Sequence, residues 1–272
     1  MMNMKLLDVK NPFGAPVYHE ETVSSTMDKA RILAGAVHGT VICADFQETG
    51  RGRLSRTWLT GRAESLMFTI LLRYGDIESI PKAITLRTGL AVSLAIEDLA
   101  PALTGSVLVK WPNDVMIADF KSAAARKAEA ARKAAGILTE TDGNYVFIGV
   151  GVNVLQREFP EEFRSKAVSI IEAFPGLVGE WVTSENARFI LLEKILSRLH
   201  EEIEHPRKSW REALPERLYK KGESVVFAEG APDSNKLTRG ILSGIGPEGE
   251  LLIIPEGEEK ERAFITGELR VY

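Results

Sequence analysis

Short apolar runs and amphipathic stretches alternate along the first 155 residues, and each change of period marks a new element. APVYHEE, TVICADF and SLMFTILLRY have strand length and strand composition, and a helix is expected between the first two, from Thr26 to Ala34. The period then lengthens. Ile84, Leu86, Leu90, Val92, Leu94, Ala95 and Leu99 fall on one helical stripe, with Pro81 before it and Pro101 after it, where a missing N–H does least damage. Four strand-like runs follow in close order: SVLVKW, DVMIA, GILTET and NYVFIGVGVNV. Gly143 and Asn144 supply a hairpin turn before the last, and such short connections predict antiparallel pairing. Helical periodicity returns from Thr183 to His200, with Thr183 or Ser184 as N-cap and Phe189, Ile190, Leu192, Ile195, Leu196 and Leu199 apolar. A second helix is expected from Lys208 to Tyr219. From Gly222 onward the texture is all strand: SVVFAEG, LTRGILSGIG, GELLIIPEG and ERAFITGELRVY, separated by turn residues.

This order predicts an α+β fold. Residues 1–220 would form a mixed, largely antiparallel sheet with packed helices, and residues 221–272 a small β-barrel. A chain of 272 residues can bury a full core, and its formal net charge of -4 argues against a dedicated nucleic-acid binder. The single cysteine, Cys43, cannot form an intrachain disulfide and sits in an apolar run, which favours a reduced thiol and the cytoplasm. The N-terminal MMNMKLLDVKNPFG lacks an apolar signal core, and no run approaches the ~18 apolar residues of a membrane span, so a soluble protein is expected.

Two tempting patterns fail on context. GIGPEG at Gly244 to Gly249 fits a dinucleotide-loop expression but lies between two strands, with no helix N-terminus to receive a pyrophosphate. The histidines of HEEIEH, His200 and His205, are five apart instead of four and diverge on a helix. No phosphate loop of the G-x-x-x-x-G-K-[ST] kind occurs. QETGRGRLSRTW, Gln47 to Trp58, is different: Gly50, Arg51, Gly52, Arg53 and Arg56 lie within seven positions. Glycines let backbone approach a ligand, and guanidinium forks grip phosphate or carboxylate. From composition alone this is either an anion-binding loop or a solvated basic loop able to touch RNA. In KWPNDVMI, Lys110 to Ile117, Asn113 and Asp114 either shape a strand corner or offer a hard carboxylate to Mg²⁺ beside a nucleotide.

Taken in order, SST at Ser24 to Thr26, QETGRGR at Gln47 to Arg53, KWPND at Lys110 to Asp114, KAAGIL at Lys133 to Leu138 and GVGVNV at Gly149 to Val154 resemble the successive signature segments of the biotin protein ligases. These are ATP-dependent biotin-[acetyl-CoA-carboxylase] ligases. The strand-rich C-terminus is similar to their SH3-like terminal domain, so the resemblance runs from residue 17 to 272. It implies that biotin is activated with ATP to biotinyl-5′-AMP, releasing pyrophosphate, and passed to a lysine of a biotin carboxyl carrier protein.

The resemblance also implies residue roles. Arg51, Arg53 and Lys133 would be catalytic; Ser25, Thr26, Gln47, Gly50, Gly52 and Gly136 would join them around biotin; Arg53, Arg56, Trp58, Asn113, Asp114 and Asn153 would face ATP, with Asp114 on Mg²⁺. Ser25 could also cap a helix in a box with Asp28. A homodimer is left open, and no DNA or membrane partner is expected, because no helix-turn-helix precedes the first strand. Alternatives of other kinds are a lipoate or octanoyl ligase or transferase, and a noncatalytic RNA-binding or protein-binding module.

Three departures stand out. The turn before KAAGIL is stretched by about a dozen residues, beyond the usual hairpin loop of about 2 to 5. Either Lys121 or Lys133 could then be the family's lysine. Lys133 is favoured because the start of a core strand preorganises a side chain better than a long loop, and residues 121–132 are expected to form a mobile or partly helical excursion. Leu54 and Ser55 stand where relatives commonly have Arg and Gly, which should stiffen the loop and weaken its hold on ATP. Met27 replaces a common Asn and is left outside the site.

Overall fold

The structure, a computed structural model, describes residues 4–33, 35–58, 61–118, 131–175, 187–204, 210–230 and 236–270. Strand β1 (Lys5–Leu6) leads to β2 (Val17–Val23), α1 (Thr26–Ile32), β3 (Thr40–Gln47) and β4 (Ser65–Arg73). Helix α2 (Ile84–Leu99) then crosses to a meander of β5 (Val107–Lys110), β6 (Asp114–Ile117), β7 (Arg132–Asp142) and β8 (Tyr145–Asn153). Two single turns, α3 (Glu161–Arg164) and α4 (Ile170–Ala173), precede α5 (Ala187–Glu204) and α6 (Trp210–Ala213). The chain ends in β9 (Ser224–Glu229), β10 (Leu237–Ile245), β11 (Leu251–Pro255), β12 (Arg262–Phe264) and β13 (Gly267–Arg270).

The first eight strands form one sheet in the order β1-β2-β3-β4-β8-β7-β6-β5. Only β2 and β3 run parallel among the described pairs, because α1 provides the crossover between them. Strands β9 to β13 make a second, wholly antiparallel sheet, β12-β11-β10-β9-β13, consistent with an SH3-like barrel. The α+β architecture expected from the alternating periods is therefore what the chain forms.

Alternation along the central strands separates two faces. Leu66, Phe68, Ile70 and Leu72 of β4, with Val146, Ile148, Val150 and Val152 of β8, point into a core shared with α2 and α5. On the opposite face Leu71 and Phe147 meet Met27 and Ala30 of α1. Helix α2 serves both sheets. Its Ala91, Val92, Ala95 and Ile96 pack on the large one, while Leu86 and Leu90 join Trp111, Phe227, Leu251 and Ile253 against the small one.

Element ends differ from the sequence expectations for local reasons. Helix α1 stops at Ile32, with Leu33 as C-cap. Among its described residues, the stretch expected to be helical from Lys208 to Tyr219 holds α6 and a 3-10 turn at Leu214–Glu216, where Pro215 cannot donate to a continuing helix. Helix α5 runs four residues beyond His200, and its expected caps Thr183 and Ser184 lie outside the described residues. ERAFITGELRVY is two strands split before Gly267, whose φ of 144° suits a glycine. GIGPEG is the β10–β11 turn, with no helix behind it. The hairpin at Gly143 and Asn144 forms as expected, with Gly143 at φ 58°. No helix among the described residues is long and apolar enough to cross a membrane.

Cys43 lies in the core on β3, 1% exposed, and donates from Sγ to the Tyr18 carbonyl at 3.3 Å. Burial pushes its thiol up from 9.0 to about 12. The folded protein should therefore resist a thiol reagent at pH 8 and react only on unfolding; stoichiometric modification of the native protein, read by intact mass, would contradict this. A folded value above the unfolded one gives a stability term that is full below 9.0 and lost as pH rises towards about 12.

Candidate active site

The face of the large sheet that carries α1 is hollowed by glycine. In GVGVNV the valines at 150 and 152 fill the core while Gly149 and Gly151 turn outward, and Gly136 on β7 pairs directly with Gly151. The result is a shelf without side chains. Trp58 lies on it: a Cβ on Gly151 would stand 2.6 Å from the indole ring, and one on Gly136 would stand 3.1 Å away. Around this shelf is a cleft of about 800 Å³.

One end of the cleft is neutral and polar. Thr26 donates from its backbone N–H to Gln47 Oε1 at 2.8 Å and from Oγ1 to the same oxygen at 3.1 Å, and its hydroxyl also meets that of Thr69 at 2.9 Å. Ser25, at the N-cap of α1, accepts from the Met27 N–H at 3.2 Å. The reciprocal half of the expected capping box does not form, because Asp28 turns outward to pair with Arg51. Met27, left outside the site on sequence grounds, is buried and lines the cleft: a Cβ on Gly149 would lie 3.0 Å from its methyl.

The other end is charged. Residues 50–58 fold back on themselves through Gly52 N–H to Arg56 C=O at 2.7 Å and Trp58 N–H to Gly50 C=O at 2.9 Å. A side chain on Gly50 would press on the Trp58 carbonyl at 2.7 Å, so this close return requires glycine there. Leu54, 49% exposed, takes φ 59°, a left-handed conformation that strains any non-glycine residue. The departure from the family loop is thus also a point of local strain. Arg53 donates to Asn113 Oδ1 at 3.2 Å, and Asn113 is itself pinned to Ile137, donating to its carbonyl at 2.8 Å and accepting from its N–H at 2.9 Å. Burial pushes the Arg53 guanidinium down, opposed by Asp114 and Glu268.

Asp114 occupies the middle. Its Oδ1 is 2.6 Å from Lys133 Nζ and its Oδ2 is 3.8 Å from Lys110 Nζ. Lys133 is on β7, one residue after its start, and its backbone is held on both sides: its N–H donates to the Lys166 carbonyl at 2.7 Å and its C=O accepts from Val168 at 3.0 Å. The buried Asn153 amide also donates to the Lys133 carbonyl at 3.3 Å, so Asn153 braces the strand that carries Lys133 while lining the cleft. Arg132 already pairs with Ile117 in the sheet, so the expected excursion does not include it; Lys121 and Lys127 lie outside the described residues.

The C-terminal sheet reaches in as well. Glu268 on β13 accepts from both Arg56 nitrogens, at 2.8 and 2.7 Å. Burial pushes Glu268 up, but the Arg56 hydrogen bonds and the charges of Arg56 and Lys110 outweigh it and hold it below the usual carboxylate range. The cleft therefore assembles every described candidate from the sequence except Gly50, which shapes the loop from behind. It adds Met27, Thr69, Lys110, Phe159, Phe163, Lys166 and Glu268. Of these, Lys110 stood inside KWPND; the rest carried no local signal. For metal, no group of three or more His, Cys, Asp or Glu side chains forms a cage among the described residues.

Residues 20–153 match the Biotin/lipoate A/B protein ligase family. The chain is 34% identical over 167 residues to the bifunctional ligase/repressor BirA of Bacillus subtilis, covering 58% of this chain and 46% of that protein. It is 33% identical over 192 residues to the biotin–[acetyl-CoA-carboxylase] ligase of Mycobacterium tuberculosis, covering 69% and 61% of the two. The chain spans about half the length of the BirA relatives from Bacillus that it matches. Among solved structures, biotin protein ligase from Aquifex aeolicus in complex with biotin and ATP superimposes with a TM-score of 0.73 at 27% identity, over 93% of this chain and 97% of that one.

Proposed function

We propose that the chain is a biotin protein ligase, a member of the Biotin/lipoate A/B protein ligase family whose model matches residues 20–153. It would activate biotin with ATP and transfer it to a lysine of a biotin carboxyl carrier protein, in the cytoplasm. The observation that carries this reading is the two-ended cleft: a neutral, hydrogen-bonding end at Ser25, Thr26 and Gln47 runs continuously into a cationic end at Arg53, Lys110 and Lys133. A ureido ring is neutral and needs donors and acceptors; a carboxylate and a triphosphate are anions that repel one another.

In the first step a biotin carboxylate oxygen bonds to the ATP α-phosphorus while the bond to pyrophosphate breaks. Arg53 and Lys133 would neutralise the approaching oxygens, and being already fixed in place they need little reorganisation. In the second step the neutral amine of the carrier lysine attacks the acyl carbon of biotinyl-AMP; AMP leaves and the amine loses its proton. Arg51 and Arg56 stand at the rim, paired with Asp28 and Glu268, and an incoming phosphate would compete for them. Trp58 would change its place on the glycine shelf as ligand enters, since its ring now covers Gly136 and Gly151.

Asp114 suits Mg²⁺ as one carboxylate ligand, and that ion is commonly held by one or two carboxylates together with substrate phosphates. Bound there, Mg²⁺ would offset phosphate charge.

The test is isotope exchange. Adding biotin to the protein with ATP and labelled pyrophosphate should produce labelled ATP, and lipoate should not substitute. Exchange with lipoate alone would move the assignment to the lipoate side of the family.

A further inference from the structure

Lys110 lines the cationic end of the cleft but takes no part in the two steps described above, and it is the most deeply placed cation there. Its side chain is 6% exposed, and its ammonium faces Asp114 Oδ2 at 3.8 Å. The other Asp114 oxygen holds Lys133 at 2.6 Å, and the Lys133 side chain is 33% exposed. One carboxylate thus stands between two lysines, one enclosed and one able to turn outward. Burying an ammonium is unfavourable where a methionine of similar shape would pack as well, so packing alone gives no reason for a lysine at this position. Burial pushes Lys110 down, and Asp114 is the first group opposing that push.

We propose that Lys110 is a positioning residue that holds Asp114 from the buried side and so loosens its grip on Lys133, leaving Lys133 free to pass to an incoming anion. With two cations on one carboxylate, a single positive charge remains for substrate. Glu268 and Arg56, which also face Lys110, are committed to each other. Without Lys110, Asp114 and Lys133 would neutralise one another and the pair would stay closed. The inference rests on the biotin-activating reading of the cleft, but its geometry stands without it.

Two readouts separate the inference from that reading. In single-turnover formation of biotinyl-AMP, Lys110→Met should slow the reaction by about 10- to 100-fold, the usual effect of removing the outer partner of a ligating carboxylate. The loss should fall on the rate and not on the KM for biotin, and Lys110→Arg should recover most of it. Lys110→Met combined with Asp114→Asn should be no slower than Asp114→Asn alone, because the two act as one unit. Additive losses, or no recovery with arginine, would overturn the proposal. The second readout needs no biotin. In the ligand-free protein, acetylation of Lys133 by an amine-reactive ester, followed by peptide mass spectrometry, should be several-fold slower in Lys110→Met than in wild type. Equal or faster labelling would overturn the proposal even where wild type makes no adenylate, an outcome that on its own removes the biotin reading. Should Lys110→Met fail to fold, Lys110→Gln takes its place in both arms.

Discussion

Arg53→Ala is expected to slow formation of biotinyl-AMP by about 10²- to 10³-fold, the range found when one preorganised donor to a developing negative charge is removed. Arg53 differs from the other arginines of its loop. Arg51 and Arg56 are occupied by Asp28 and Glu268 at the rim, whereas Arg53 is half-buried and leans on Asn113, itself hydrogen-bonded twice to Ile137 on a central strand. A guanidinium held this way arrives at the reacting oxygens already oriented. The check is single-turnover adenylation with saturating biotin and ATP. An unchanged rate constant in a folded variant would remove Arg53 from the reacting centre.

Lys133→Ala should lower the same rate constant by at least about 10²-fold, while Lys121→Ala and Lys127→Ala should leave it near wild type. The argument is preorganisation. The Lys133 backbone is fastened to Lys166 and Val168 and braced by Asn153, and its ammonium stands 2.6 Å from Asp114 and 5.5 Å from the centre of the Trp58 ring. Its charge therefore begins beside the surfaces that ligand would occupy. A folded Lys121→Ala variant that could not adenylate biotin, beside an active Lys133→Ala, would reverse the assignment.

Much of the cleft could be read from local patterns, and the reason is visible in β8. In GVGVNV a period of two sends valine to the core and glycine to the ligand face, so the strand's identity and the hollow it leaves follow from the same six residues. Lys133 was legible for a similar reason: KAAGIL begins a strand, and a strand fixes its residues. Composition made the glycine-arginine loop stand out but left it either anion-binding or merely solvated, and it could not distinguish Arg53, held inside, from Arg56, tied to a glutamate 212 positions away. Such a pairing depends on how two sheets pack, and nothing near either residue announces it. Met27 carries no polar group to mark it in the sequence, yet its face of α1 points at Gly149. Element ends were misplaced where one proline or one glycine decided the matter, as in the helical stretch at Pro215 and the strand split at Gly267.

Leu54 holds a left-handed conformation in a segment that closes on itself through Gly52 and Arg56. Such conformations persist where surrounding contacts over-determine them. Here the contacts are the hairpin-like return of residues 50–58 and the Arg56–Glu268 pair, which anchors the loop to the C-terminal sheet. Ligand entry, by competing for Arg56 and displacing Trp58, would act on both.

Whether the cleft joins biotin to a protein lysine at the expense of ATP can be read from the intact mass of a biotin carboxyl carrier domain incubated with the protein, ATP and an equimolar mixture of biotin and lipoate. The expected product is a carrier that gains one biotinyl group, on the lysine identified by peptide mapping, and only when ATP is present. A carrier that gains lipoate, or that gains nothing while the protein remains folded, would contradict it.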